Sequence, residues 1–249
     1  MHYADYAEWQ RDWLTPERLE GQLTYWREKL AEVPPLLELP LDKPRPATQT
    51  TEGASLSFSF DPAFVPRLRA FCAEQGVTPF MFTLTAWKLL LAKYSGQHDI
   101  VVGVPSLGRD TQELENIIGF FIHSFVLRTQ LGDKPSVKSA LQRVRQTVLD
   151  AFSHGDVPVD MLVEHLVIRR NPAYSPLVQV AFQLLDQASM QQDALPGGNF
   201  GDVAIEPVGE SGGTAKFDIT LNLSLADATS WLVRWNTTPR CLWKPPCSG

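Results

Sequence analysis

The stretch "FDITLNLSL", residues 217–225, decides the fold class of this sequence. Its apolar residues occupy every second position, and Asp218, Thr220, Asn222 and Ser224 fill the positions between them. Because successive side chains of a strand point to opposite faces, this alternation predicts a β-strand with one packed face and one solvent-exposed face. It is the clearest strand in the chain, and the neighbouring elements are interpreted around it.

Helix and strand signals alternate along the rest of the chain. The pairs Thr15-Pro16, Asp61-Pro62 and Thr78-Pro79 predict helix starts, because a side-chain oxygen caps the first turn and proline has no amide donor to lose there. Residues 79–94 are apolar almost all round, which predicts a buried helix. Short apolar runs predict strands at 99–105 and 119–129. The alternation predicts an α/β fold with a mixed β-sheet flanked by helices.

The composition is that of an ordinary globular protein. The 249 residues are 44% hydrophobic and 20% charged, with a formal net charge of −6. Interleaved charges of both signs favour neither a nucleic-acid nor a membrane partner. No apolar run approaches the roughly 18 residues of a membrane span, and the first residues are too polar for a signal peptide. The sequence therefore predicts a soluble, cytoplasmic protein.

The common catalytic motifs are absent or out of context. The run "GESGG" (209–213) has the G-x-S-x-G spacing, but a predicted strand follows Ser211 where a nucleophile elbow needs a helix. Phosphate-binding loops, zinc-binding H-E-x-x-H and dinucleotide fingerprints do not occur. Two histidines are candidate general bases, since His123 interrupts an apolar strand and His154 precedes a turn. The residue type alone does not decide between a catalytic and a structural role for either histidine.

Several segments carry a resemblance to one family. The segments "IIGFFIHSFVLRT" (117–129), "HGDVPVDMLVEHL" (154–166) and "YSPLVQVAFQL" (174–184) follow one another in the order and spacing of three of that family's motifs. "YADYAEWQRDWL" (3–14), "YWREKLAEVPPLLELPLDKPRP" (25–46) and "TAKFDITLNL" (214–223) extend the match over about residues 3–230. On these segments the chain resembles the condensation domains of non-ribosomal peptide synthetases.

The resemblance implies a chloramphenicol-acetyltransferase-like fold, in which two α/β lobes enclose a tunnel. In that family an amide bond forms between a carrier-bound acyl or peptidyl donor and an aminoacyl acceptor. The implied partners are peptidyl carrier proteins and an adenylation domain. The 4'-phosphopantetheine arms belong to the carriers, so no intrinsic cofactor or metal is expected. Residues 1–50 are interpreted as a remnant of an incomplete N-terminal lobe with its crossover linker, and residues 51–230 as the C-terminal lobe.

The sequence departs from the family in its catalytic motif. The family's chemistry is assigned to H-H-x-x-x-D-G, and these 249 residues contain no adjacent histidine pair. We therefore expect no catalytic residue in this chain and no activity from it alone. The alternatives are a non-catalytic module that docks carrier proteins, or a lobe that complements a separate N-terminal half. An independent acyltransferase with His123 as base is disfavoured, because it would also need an oxyanion donor and an enclosed tunnel.

The resemblance also places eight residues beside the tunnel, as lining or structural residues: Arg109, Phe121, His123, Ser124, His154, Asp156, Ser175 and Gln179. His154 begins the segment that matches the family's H-Q-D, with Gly155 in place of glutamine. We expect it to anchor the turn together with Asp156 rather than to act as the base. His123 and Ser124 stand where the family has asparagine and threonine. Arg109 is expected to pair with the aspartate of the missing motif, and so to be unpaired here.

The last residues differ from the rest. Residues 231–249 contain no acidic residue and show neither helical nor strand periodicity. Back-translated in a neighbouring reading frame, they permit the pattern E-Y-N-T-x-x-F with which the family continues. The hypothesis is a frameshift near residues 231–235 followed by an early stop, so that the chain is a fragment from a damaged or misread synthetase gene.

Overall fold

The computed structural model describes residues 2–61, 63–109, 111–166, 168, 170–185, 199–200, 203–204, 214–227 and 230–237. The helices are α1 (Tyr3–Trp13), α2 (Pro16–Lys29), α3 (Phe64–Gln75), α4 (Pro79–Ser95), α5 (Gln112–Glu115), α6 (Val137–Ser153) and α7 (Val159–His165). The strands are β1 (Ala54–Ser59), β2 (Asp99–Ser106), β3 (His123–Gln130), β4 (Val180–Leu185), β5 (Asn199–Phe200), β6 (Val203–Ala204), β7 (Ile219–Asp227) and β8 (Ser230–Thr237). Ser211, Cys241 and Cys247 lie outside the described residues.

The chain forms two compact units that are interleaved along the sequence. The first consists of Met1–Leu39, Leu84–Asn171 and Ser175–Gln179. The second consists of Pro40–Thr83, Pro172–Tyr174 and Val180–Gly249. The division into residues 1–50 and 51–230 stays a prediction.

The second unit contributes four neighbouring strands of a mixed sheet, in the order β1-β8-β7-β4. β8 runs antiparallel to both β1 and β7, whereas β7 and β4 are parallel. Residues 219, 221 and 223 of β7 are buried, in agreement with the predicted alternation. The predicted α/β class with a mixed sheet flanked by helices is therefore confirmed.

One residue of the alternating stretch differs from the prediction. Asp218, expected on the solvent-exposed face, is 3% exposed and accepts two hydrogen bonds from Arg45, at 2.8 and 2.6 Å. The guanidinium neutralises the carboxylate and satisfies both of its oxygens, which is the condition under which an aspartate can be buried.

The first unit is built on the antiparallel pair β2–β3, against which α6 packs. Ser136 caps α6 by accepting a hydrogen bond from the Ser139 amide at 3.1 Å. The buried face of α6 repeats at helical spacing: Ala140, Leu141, Val144, Thr147, Val148 and Ala151. Two of the three predicted helix starts are confirmed, because α2 begins at Pro16 after Thr15 and α4 begins at Pro79 after Thr78. The start predicted at Asp61-Pro62 differs, since α3 begins at Phe64, and Pro62 lies outside the described residues.

One predicted strand boundary was wrong, and one strand was not predicted. The strand expected at 119–129 begins only at His123, because the preceding residues are held as a loop against α1. There the hydroxyl of Tyr3 donates to the Phe120 carbonyl at 2.8 Å, and the Tyr3 ring covers Gly119. At the other end, residues 230–237 form β8, although no strand was predicted there. This segment pairs with β1 on one side and with β7 on the other, and the pairing makes it a strand although its sequence lacks strand periodicity.

Candidate functional site

All eight predicted site residues lie in the first unit. One of them, Phe121, lies in the loop before β3. Phe121 is 7% exposed and packs in a cluster with Leu114, Ile117 and Tyr6. Its ring meets the Tyr3 ring edge-on, with 5.1 Å between the centroids. Phe121 is therefore a core residue that fixes the loop, and its position beside a tunnel stays a prediction.

Arg109 makes hydrogen bonds to main-chain carbonyls, and no ion pair of it is found among the described residues. Its Nη1 donates to the carbonyls of Leu114 and Glu115, the second at 3.4 Å. Its guanidinium carbon lies 4.4 Å from the centroid of the Phe121 ring, a cation–π distance. Main-chain carbonyls at the end of α5, within six residues of the arginine, therefore accept hydrogen bonds from it. The expectation that Arg109 lacks the ion-pair partner of the missing motif stays a prediction.

His123 and Ser124 open strand β3, and both are half-buried. The His123 Nδ1 lies 3.5 Å from the Phe121 carbonyl oxygen. The His123 ring meets the Phe125 ring edge-on, with centroids 4.9 Å apart. Neither contact involves a carboxylate, so these contacts supply no acid that would orient His123 as a general base.

His154 and Asp156 tie the turn after α6 to α2. The His154 ring stacks on Tyr25, with centroids 3.8 Å apart and planes 10° from parallel, and its Nδ1 lies 2.8 Å from the Asp150 carbonyl oxygen. The His154 carbonyl accepts a hydrogen bond from Trp26 Nε1 at 2.9 Å. Asp156 accepts one from Gln22 at 2.6 Å. These contacts are what an anchoring role requires, and that role stays a prediction.

The turn passes close to β3 at Gly155. An ideal Cβ on Gly155 would overlap Cε1 of Phe125 and lie 3.1 Å from its Cζ. The Phe125 ring is held in turn by Phe152, whose ring centroid lies 4.6 Å away. Position 155 is glycine here, whereas the family that the sequence resembles has glutamine. The missing side chain leaves the space that the Phe125 ring fills. No local sequence pattern indicates this pairing, since the two residues are thirty positions apart.

Ser175 and Gln179 form a separate group that does not meet the histidines in any described contact. Gln179 is 5% exposed, and its Oε1 accepts from the Leu37 amide at 3.1 Å. Its Nε2 donates to the Ser175 carbonyl at 2.8 Å and to the Pro35 carbonyl at 3.4 Å. The amide group therefore fastens the proline-rich segment after α2, a structural arrangement that leaves it little freedom to bind a substrate.

Sequence reasoning missed a buried lysine in α4. Lys88 has no exposed surface, and its Nζ donates to the Ile100 carbonyl at 3.1 Å, the Leu127 carbonyl at 2.5 Å and Thr129 Oγ1 at 2.9 Å. Burial holds the pKa of Lys88 well below its usual value. Three acceptors match the three N–H bonds of an ammonium group, so the site satisfies the lysine fully. The signal available was a lysine in the middle of a mostly apolar helix, whose other lysine, Lys93, lies in the last turn.

Sequence reasoning also missed Arg128, which joins α2 to the β2–β3 pair. Its guanidinium donates to both oxygens of Asp99, at distances down to 2.6 Å. It also donates to the Lys29 and Ala31 carbonyls at 2.8 and 2.6 Å. These bonds satisfy orphan carbonyls at the end of α2, and so fix the helix that carries the partners of His154.

Neither a metal site nor a membrane span occurs in the described part of the chain. That part contains no group of three or more histidine, cysteine, aspartate or glutamate residues placed to hold a metal ion. None of its helices is long and apolar enough to cross a membrane.

Comparisons with known proteins agree on one family. The model of the family described as "Condensation domain" matches residues 1–236. A linear gramicidin synthase protein of Brevibacillus parabrevis is 46% identical over 228 residues, which are 91% of this chain and 4% of that protein. Phosphinothricin tripeptide synthetase PhsC of Streptomyces viridochromogenes is 38% identical over 231 residues, 92% of this chain and 21% of that protein.

Solved structures give the same fold. The X-domain from teicoplanin biosynthesis superimposes with a TM-score of 0.83 and 25% identity, covering 97% of this chain and 55% of that one. The four-domain non-ribosomal peptide synthetase AB3403 gives a TM-score of 0.80 at 22% identity, with 92% and 18% covered. The chain thus spans a small part of the curated relatives and about half of the X-domain. The chain belongs to the condensation domain family.

Proposed function

We propose that this chain forms the C-terminal part of a condensation domain of a non-ribosomal peptide synthetase. In that role it provides one wall of the tunnel in which a carrier-bound acyl or peptidyl donor is joined to an aminoacyl acceptor. The observation that carries the proposal is the 46% identity to the linear gramicidin synthase across 91% of the chain. The same proposal makes peptidyl carrier proteins and an adenylation domain its partners, in the cytoplasm.

In this proposal the substrates are attached to groups that are not part of this chain. The thioesters are carried by 4'-phosphopantetheine arms, which are attached to the carrier proteins. The amine of the acceptor attacks the thioester carbon of the donor, an amide bond forms, and the donor's thiol leaves. No metal or intrinsic cofactor enters this proposal, because amine attack on a thioester needs only positioning and proton transfer.

We propose further that the 249 residues by themselves do not catalyse this reaction. The family's paired histidines do not occur in this sequence. The described nitrogen contacts of His123 and His154 are with main-chain carbonyls, not with a carboxylate that would orient either ring as a base. In this proposal His154 and Asp156 hold the turn on α2, His123 and Ser124 border the tunnel, and the base is supplied by an N-terminal lobe.

A second candidate function is a docking module without chemistry of its own. The observation in its favour is that the X-domain of teicoplanin biosynthesis has been solved in a complex with OxyB, and this fold superimposes on it with a TM-score of 0.83. A fold of this kind can therefore serve as a protein-binding surface. This candidate would be favoured if the chain bound a carrier protein but no amide formed in the exchange experiment described next.

The experiment exchanges the matching segment of the relative. The 228-residue matching segment of the linear gramicidin synthase is replaced with the corresponding residues of this chain, leaving its own upstream half in place. Condensation is followed by mass spectrometry of the carrier-bound product. We expect product from the exchanged enzyme and none from the 249-residue chain alone. A folded exchanged enzyme that makes no product, beside an unaltered enzyme that does, would contradict the proposal.

A further inference from the structure

A cavity lies on the first unit between the end of α2, the end of β3 and the middle of α6. Its volume is about 480 Å³, within the range of small-molecule sites. It is lined by Glu28, Lys29, Ala31, Arg128, Thr129, Gln130, Arg143, Gln146 and Thr147. Its lining includes three cationic side chains and a single carboxylate.

Two of the three cations have capacity to bind a ligand. Within the described residues, the Lys29 side chain has no hydrogen bond or ion pair. Arg143 donates through Nη1 to the Gln130 carbonyl at 2.9 Å, which leaves its other guanidinium N–H groups available. Arg128 is different, because its nitrogens already donate to Asp99 and to main-chain carbonyls.

The floor of the cavity is polar and already ordered. Thr129 and Thr147 are each 3% exposed, and their hydroxyl oxygens lie 3.0 Å apart in a hydrogen bond. Thr129 Oγ1 also accepts a hydrogen bond from the buried Lys88, which holds this hydroxyl in place. Glu28 is the only acidic lining residue, and its side chain is exposed.

The cavity lies away from the two candidate histidines. His123 and Gln130 stand at opposite ends of β3, seven residues or about 23 Å apart. Thr147 is the lining residue of α6 nearest to His154, and it precedes that histidine by seven residues, about 10 Å. The cavity is therefore a second site and not part of the proposed tunnel wall.

We propose that this cavity binds a small ligand through a phosphate group held between Lys29 and Arg143. Arginine presents a planar fork that matches phosphate oxygens, and lysine adds a point charge. A free phosphate ion would leave most of the volume empty, so an organic phosphate monoester fits better than the bare ion. Glu28 opposes the anion and sets a limit on its affinity.

The test measures binding of two probes, glycerol 3-phosphate and inorganic phosphate, to the full 249-residue chain by calorimetry at constant ionic strength. We expect saturable binding of glycerol 3-phosphate, with inorganic phosphate binding more weakly. Lys29→Gln and Arg143→Gln should each weaken the binding about tenfold or more. Glu28→Gln should tighten it, because it removes the opposing charge.

Lys138→Gln is the matched control, since this lysine is exposed on α6 outside the cavity. It removes the same charge from the same helix as the Arg143 variant and should leave the affinity unchanged. Equal weakening by Lys138→Gln would show that only net charge matters, and would overturn the site. Absence of saturable binding of both probes to the unaltered chain, with its fold verified by cooperative unfolding, would overturn it as well. Tighter binding of inorganic phosphate than of the ester would restrict the site to the free ion.

Discussion

The contact between Gly155 and Phe125 predicts a large penalty for adding one methyl group. In Gly155→Ala the new Cβ overlaps the Phe125 ring, so that ring must move against Phe152 and His123. Overpacking of this kind typically costs about 1–3 kcal/mol. Phe152 is 51% exposed and can yield toward solvent, which places the expected loss at about 1–2 kcal/mol.

Gly21→Ala is the matched control, because a Cβ on Gly21 meets nothing within 4 Å and the residue lies inside α2. Replacing a helical glycine with alanine stabilises by roughly 0.5–1 kcal/mol. The entropic effect on the unfolded chain is shared by both substitutions, so the difference between them reports the clash. The two variants should therefore differ by about 2 kcal/mol in free energy of unfolding.

The assay is urea unfolding, in which the midpoint should fall for Gly155→Ala at an unchanged slope. Phe125→Leu shortens the ring that is in the way, so the double variant should be more stable than the sum of the single effects predicts. A coupling energy of about 1 kcal/mol or more is expected for residues in direct contact. The reasoning would be refuted if Gly155→Ala and Gly21→Ala had the same effect, or if Phe125→Leu and Gly155→Ala were simply additive.

Contacts of Arg109, Tyr25 and Asp218 give three further predictions. Arg109→Ala should destabilise by about 1–3 kcal/mol, because a part-buried carbonyl acceptor loses its charged donor, and an unchanged urea midpoint would contradict this. Burial raises the pKa of Tyr25 to about 12, so its folded-state stabilisation is full below pH 10 and is lost as the pH rises to 12. The free energy of unfolding should therefore fall more steeply between pH 10 and 12 in the unaltered chain than in Tyr25→Phe, and equal slopes would contradict this. Asp218→Asn should cost about 1.5–3 kcal/mol, because the half-buried Arg45 loses its charged hydrogen-bond acceptor, whereas Asp42→Asn on the surface should cost almost nothing in the same unfolding experiment.

Local signals predicted much of the fold. The caps at Thr15 and Thr78 determined two helix starts, since a cap and its helix are neighbours in sequence. The alternating residues 219, 221 and 223 predicted a half-buried strand, because periodicity reports which face is packed. Such features could be inferred from the sequence because their physical causes lie within a few residues.

The errors have long-range causes. Asp218 is buried because Arg45 reaches it from 173 residues earlier in the chain. The loop before β3 is not a strand, because Tyr3 holds it from 117 residues away. Lys88 is buried because acceptors on two later strands surround it. No spacing rule within a short window contains these partners.

The candidate site shows the same division. The family motifs led to the turn at His154 and to the strand at His123, but not to the contacts that define their roles. The stacking of His154 on Tyr25 and the fit of Gly155 against Phe125 both depend on how separate elements pack. The cavity at Lys29 and Arg143 is formed by three elements together, and its cationic residues follow no recognisable sequence pattern.

The central claim is that this chain supplies structure to a condensation domain and not its catalytic base. The most direct measurement compares three histidine substitutions in the exchanged synthetase, with rates normalised to folded protein. Replacing the second histidine of the upstream motif should lower the rate of amide formation by about 10²–10⁴-fold, the usual worth of a general base. His123→Ala and His154→Ala should each lower it by less than about tenfold, because in this account neither is the general base. A loss in His123→Ala or His154→Ala as large as that of the upstream histidine would contradict the account.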